Sequence, residues 1–130
     1  MNNKVILFII CIVTVSCGKN QELHFIDFVD IDAIENVEMS NNSGVFTLNK
    51  KQLIQFKKEI ASLTYEPSYT VKVGAINMSL TINGKSYLMA TATHGDYVEI
   101  DIGLVTKNAF KFENPFFKTN GINFDNYKKE

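Results

Sequence analysis

The sequence predicts an α+β domain, with one amphipathic helix packed on a mainly antiparallel sheet. Three observations lead there. Residues Asn49 to Leu63 carry apolar side chains at helical spacing. Residues Ile76 to Ile102 alternate apolar with polar positions in runs broken by turn residues. An earlier stretch, Val29 to Ala33, alternates in the same way. Strands on both sides of a single helix, joined by short connections, place that helix across one face of a sheet.

Leu23 to Met39 is expected to form one or two strands. Val29, Ile31 and Ala33 alternate with Asp30 and Asp32, as in a half-buried strand. Ile34, Val37 and Met39 continue the apolar content in a different phase, which predicts a bulge or break. Asn41-Asn42-Ser43-Gly44 is a turn signal, and Val45 to Leu48 is a short extended piece.

The helix carries the clearest local signals. Asn49 is a favourable N-cap, and Gln52 completes a capping box. Leu48 and Leu53 are spaced as a hydrophobic staple. Leu53, Phe56, Ile60 and Leu63 form one apolar stripe, while Lys50, Lys51, Lys57, Lys58 and Glu59 are left to face water. A basic helix face can also lie on anionic lipid. With a sheet available, a core-facing helix with a solvated back is the simpler outcome. Tyr65-Glu66-Pro67-Ser68 is expected to end it.

A three-stranded meander follows. Ile76, Met78, Leu80 and Ile82 alternate with Asn77, Ser79, Thr81 and Asn83. Asn83-Gly84 suits a two-residue type I′ turn, which sets Leu80 opposite Tyr87 and Met78 opposite Met89. Val71 and Val73 have the opposite parity, so Gly74-Ala75 is expected as a bulge. His94-Gly95-Asp96 is the next turn, and Val98, Ile100 and Ile102 mark the third strand. Phe110, Phe112, Phe116, Phe117, Phe124 and Tyr127 then crowd an irregular segment broken by Pro115 and Gly121. Such a segment either closes the core or presents aromatics to a partner, and a core this small favours closure. The order of helix then meander resembles cystatin-like and PepSY-like small domains. It does so in element order only, which implies no function.

Composition narrows the functional classes. The formal net charge is −1, so nothing points to a nucleic-acid partner. Every cation is lysine, and the lack of arginine weighs against a bidentate phosphate site. Acidic residues from Glu22 to Glu38 form a stretch without lysine, consistent with a solvated face.

The N-terminus bears on location. Lys4 precedes an apolar run from Val5 to Val15, and the small residue Ser16 precedes Cys17. With its motif Thr14-Val15-Ser16-Cys17, this segment resembles a bacterial lipoprotein signal peptide. Thr14 stands where that family usually has leucine. The resemblance implies that residues 1–16 are removed. It implies that Cys17 becomes a lipidated N-terminus, carrying acyl chains such as palmitate on sulfur and amine. Cys11 would leave with the signal, so no intrachain disulfide could form. Three simpler readings compete. An ordinary secretory signal would leave Cys17 a free thiol. A membrane span would need about 20 apolar residues, more than this run supplies. A strand or helix of a globular domain would show a polar face, which Ile9 to Val13 lack.

The expected organisation is therefore a signal peptide over 1–16, a lipidated cysteine with a short tether over 17–22, and a single domain over 23–130. A tether of that length reaches roughly 15–20 Å when extended. Gly18, rather than aspartate, follows the cysteine, which leans toward the outer membrane of a bacterial cell envelope. Exposure to the periplasm or to the exterior stays open.

Candidate chemistry is sparse. His24 and His94 are the only histidines. His94 lies in Thr91-Ala92-Thr93-His94-Gly95-Asp96, where a hydrolytic site would need a base oriented by a third group beside a nucleophile. A turn using Gly95 and Asp96 for their backbone preferences accounts for the same residues. Asp27, Asp30 and Asp32 lack the glycine and distal glutamate of a calcium loop, and no zinc spacing or phosphate-binding glycine loop occurs. The expectation is a non-catalytic, lipid-anchored binding or accessory domain with no cofactor and no metal. Its partners would be membrane lipid through Cys17 and an envelope protein, in the manner of an inhibitor or immunity protein. The alternative is a small envelope hydrolase using His94 and Asp96.

Overall fold

The computed structural model describes residues 21–70, 73–92 and 94–130, with the side chains of 73–75 outside the described set. The signal segment, Cys17 and Gly18 also lie outside it. The chain is α+β, and among the described residues it has one main helix and a seven-stranded sheet in which every pairing is antiparallel. In chain order the elements are α1 (Phe25–Phe28), β1 (Ile34–Asn41), β2 (Gly44–Thr47), α2 (Lys50–Ala61), β3 (Thr64–Tyr65), β4 (Val73–Ile82), β5 (Lys85–Ala92), β6 (Tyr97–Ile100) and β7 (Phe116–Lys118). The sheet order is β2-β1-β4-β5-β6-β7-β3.

The β4–β5 hairpin has the register that Asn83-Gly84 predicts. Leu80 pairs with Tyr87 and Met78 with Met89. Asn83 and Gly84 both take positive φ, 51° and 74°, the signature of a type I′ turn. The register shifts between Val73 and Asn77, an interval that contains the bulge expected at Gly74-Ala75. A second shift, between Ile34 and Asn36 on β1, accounts for the phase change read in that segment.

Helix α2 begins at the expected cap. The Asn49 side chain accepts from Gln52 N–H at 2.9 Å, and the Gln52 side chain accepts from Asn49 N–H at 3.0 Å. Phe56, Ile60 and Leu63 are fully buried, while Lys50, Lys51 and Lys58 are exposed. The core lies between the helices and the inner sheet face. That face carries Val37, Met39, Met78, Leu80, Met89, Val98 and Phe117, all buried.

Four expectations are corrected. Residues 23–33 do not form a strand. Phe25–Phe28 is a short helix, and Ile31–Ala33 is a single 3₁₀ turn. The alternation in Val29 to Asp32 is real, since Val29 and Ile31 are buried and Asp30 and Asp32 exposed. Its backbone groups, however, bond outside any ladder. Asp30 N–H donates to Thr106 Oγ1 at 3.1 Å, and Ala33 N–H donates to Asp30 O at 3.2 Å. Secondly, α2 stops at Ala61 instead of reaching Tyr65, because Thr64 and Tyr65 pair with Lys118 and Phe117. Thirdly, β6 ends at Ile100, and Ile102 sits 64% exposed on a 3₁₀ turn capped by Asp101. Finally, the meander grows beyond three strands, because Phe116–Lys118 adds to it as β7.

The aromatic C-terminus closes the core for the most part. Phe117, Phe124 and Tyr127 are buried, and Phe112 packs at the core edge. Phe124 and Tyr127 lie against Phe56 of α2, with ring centroids 6.0 and 5.9 Å away. Phe116 is buried on the opposite sheet face, under Tyr69. Phe110 is the exception and projects into solvent.

Candidate functional site

A half-open cleft of about 460 Å³ lies where β5 ends. Thr91 and Ala92 supply one wall, His94-Gly95-Asp96 the rim, and the returning chain from Thr119 to Asp125 the other wall. Asn42, from the β1–β2 turn, and Ile76, from β4, complete it. Four regions distant in sequence thus converge on one place.

Local backbone chemistry builds that convergence. Gly95 has φ of 73°, a left-handed conformation suited to glycine, and its N–H closes the turn on Ala92 O at 2.9 Å. Thr119 holds the opposite wall to this turn. Its hydroxyl donates to Gly95 O at 2.8 Å, and its N–H donates to Asp96 O at 2.9 Å. Asn120 and Gly121 both take positive φ and reverse the chain, so that Phe124 enters the core beneath the cleft. The walls are therefore pinned by named hydrogen bonds rather than by loop packing alone.

Two carboxylates and one imidazole line the cleft. Asp125 is engaged on both oxygens, accepting from Asn42 N–H at 3.0 Å and from Asn42 Nδ2 at 2.9 Å. His94 and Asp96 are exposed at the rim. Among the described residues, no hydrogen bond or ion pair joins His94 to either carboxylate. Thr91 and Thr119 are buried at 4% and 2% exposure, and Thr119 already donates its proton to Gly95 O. The arrangement offers acceptor oxygens, an imidazole and an apolar floor of Ile76, Ile122 and Phe124. No lysine is among the described lining residues. Such a surface suits groups that donate hydrogen bonds or carry positive charge.

The structure brings His94 and Asp96 into one cleft, as their place in one turn predicts. It does not bring His24 there. His24 starts α1 and bridges Thr64 at the sheet edge. Asp27 accepts from His24 N–H at 2.8 Å, while Asp30 and Asp32 are exposed. Among the described residues, no three His, Cys, Asp or Glu side chains are grouped to hold a metal. Sequence reasoning missed Asn42, Thr119 and Asp125. Asn42 reads as an ordinary turn residue, and no local pattern shows that Asp125 returns to meet it.

The outer sheet face carries a second aromatic cluster. Tyr69 stacks on Tyr97 with centroids 3.4 Å apart and meets the edge of Phe116 at 5.4 Å. Burial raises the Tyr69 pKa above its ordinary value, and the neighbouring Tyr97 and Asp96 add to the shift. Beside this cluster is a shallower hollow of about 250 Å³ between Leu88, Ala90 and Glu99.

No family model, curated protein or solved structure matches this chain. Among the described residues, no helix is long and apolar enough to cross a membrane.

Proposed function

We propose that this chain is a lipid-anchored protein of the bacterial cell envelope, whose folded domain binds an envelope partner without chemistry of its own. The observation that carries the reading is the run from Lys4 through the apolar Val5–Val15 to Ser16-Cys17. It resembles a lipoprotein signal and assigns Cys17 a covalent role. Two or more acyl chains give stable anchoring where one is marginal. The domain stays at the envelope and acts on what it meets there. The outer membrane is the favoured location, from Gly18 after the cysteine.

The cleft supports the binding half of the reading. A rim of Asp96, Asp125, Asn42 and Asn123 over an apolar floor offers a basic or amide-bearing segment both acceptors and contact area. An inhibitor- or immunity-like role is one version of such binding. The second reading, a small hydrolase, draws on His94 and Asp96 sharing the cleft. It requires substrate to bring them together, since no bond joins them in the structure.

Mass spectrometry of protein extracted from membranes tests the anchor. The expected product lacks residues 1–16 and carries acyl chains on Cys17. Cys17→Ala is expected to lose the lipid and to accumulate unprocessed. Normal processing of that variant, or an unmodified soluble product from the wild type, would overturn the assignment.

A further inference from the structure

Phe110 is the most exposed large apolar side chain among the described residues, at 84%. Its neighbour two positions on, Phe112, behaves oppositely and packs against Phe28 and Tyr65. A single exposed aromatic is ordinary on a protein surface. The way this one is held is not.

The loop that carries it is fastened to α1. Thr106 N–H and Lys107 N–H both donate to Phe28 O, at 2.9 and 2.8 Å. Asn108 Nδ2 donates to Asp27 O at 2.8 Å, and Asn108 itself is left-handed at φ 49°. Asn tolerates that conformation better than most residues. It reverses the chain so that the Ala109–Lys111 turn points away from the core. Lys111 Nζ lies 5.4 Å from the Phe110 ring centroid, and Lys107 is exposed at the other end of the loop.

The element that holds this loop is also the first after the N-terminal segment. Leu23 is fixed in the fold, its carbonyl accepting from Tyr65 N–H at 2.8 Å. Cys17 lies six residues before it. Six residues span at most about 20 Å, which bounds the distance from Leu23 to a bilayer holding the acyl chains. Ile26, on α1, is a further half-exposed apolar side chain.

We propose that the Lys107–Lys111 loop seats on the lipid bilayer, with the Phe110 ring entering the headgroup boundary. This rests on the lipid-anchor reading above and adds an orientation to it. Lys107 and Lys111 can lay their stems along the apolar layer and keep their ammonium groups among phosphates. Asp27 and Asp30 lie close by, so the contact depends on the ring rather than on net positive charge. The domain then presents the β3 side of the sheet to the membrane and β2, at the other edge, away from it.

The chain has no tryptophan, so a single introduced one is an unambiguous reporter. The full-length Phe110→Trp and Val45→Trp variants are expressed in bacteria, purified from membranes and checked for acylation by mass. They are then reconstituted in phosphatidylethanolamine–phosphatidylglycerol vesicles with or without brominated acyl chains. Val45 is exposed on β2 and serves as the distal control. The expected result is blue-shifted emission from Phe110→Trp that loses most of its intensity to brominated lipid, with Val45→Trp unaffected. Water-like, unquenched emission from acylated Phe110→Trp overturns the seating and leaves the anchor standing. Absence of acyl chains on both variants overturns anchor and seating together.

Discussion

Tyr127 Oη donates a hydrogen bond to Glu59 Oε2 at 2.7 Å, tying the last aromatic of the chain to helix α2. The ring below it meets Phe56 edge-on at 75°. Polar side chains of the first hairpin and the helix cap hold the same tail. Asn41 Nδ2 donates to Phe124 O and Tyr127 O, Gln52 Nε2 donates to Lys128 O, and Asn49 reaches the Glu130 carboxylate. The helix, the hairpin and the C-terminus therefore form one connected unit.

Tyr127→Phe should remove the bond and keep the ring packing. A hydrogen bond to a charged group contributes about 1.5–3 kcal/mol, so a loss of about 2 kcal/mol in urea-unfolding stability is expected. The variant also has a pH signature. Burial, reinforced by the Glu59 carboxylate, raises the Tyr127 pKa far above its ordinary value. In the unfolded chain the phenol ionises near pH ~10. The folded state thus keeps a proton that the unfolded state releases, and stability falls as pH rises above that point. Tyr127→Phe should flatten this alkaline decline relative to wild type, as read by unfolding curves between pH 8 and pH 11.

Local signals revealed much of the fold, and only one half of the cleft. The capping box at Asn49 and Gln52, the type I′ turn at Asn83-Gly84 and the Met78–Met89 pairing each rest on residues near one another in sequence. Sequence pattern and fold part where a distant residue takes the backbone bond. Thr106 satisfies Asp30 N–H, so the alternation there never joins a ladder. Phe117 pairs with Tyr65, so the chain leaves the helix early. The cleft follows the same rule. His94 and Asp96 share a turn, whereas Asp125 meets Asn42 across more than 80 residues.

Tyr65 makes a second structural demand on its hydroxyl. Tyr65 Oη accepts from Glu113 N–H at 2.6 Å and from Asn114 N–H at 2.9 Å. Tyr65→Phe would retain the packing on Phe28, Phe112 and Phe117 and strand two backbone donors. A buried unsatisfied group costs about 1–3 kcal/mol. The expected destabilisation is about 2–3 kcal/mol, larger than for Tyr87, which is only partly buried at the core edge. Chemical denaturation of both Tyr→Phe variants gives the comparison.

The β4–β5 turn tests backbone strain without packing. A Cβ on Gly84 would meet nothing within 4 Å, yet φ there is +74°. Gly84→Ala should therefore cost about 1 kcal/mol from conformation alone. Gly95→Ala should behave alike, since its φ is +73° and its surroundings are equally open. Near-equal losses in thermal midpoint for the two variants are the expected outcome. A much larger loss at Gly95 would show that the cleft rim is packed against more than these residues.

The cleft makes its prediction through surface residues that the fold does not need. Asp96→Asn and His94→Ala alter exposed side chains, while the Asp96 carbonyl that accepts from Thr119 N–H is retained. Stability should change by no more than about 0.5 kcal/mol for each. Crosslinking in native cells, followed by identification of the captured protein, should recover an envelope partner with the wild type. With the double variant, partner affinity should drop by about tenfold, equivalent to about 1.4 kcal/mol of lost rim contacts. Unchanged capture would move the binding surface elsewhere, with the Leu88–Glu99 hollow the next candidate. Turnover of an ester or amide that disappears with His94→Ala would replace the binding reading with the hydrolytic one, because an imidazole at a rim without chemistry has no rate to control.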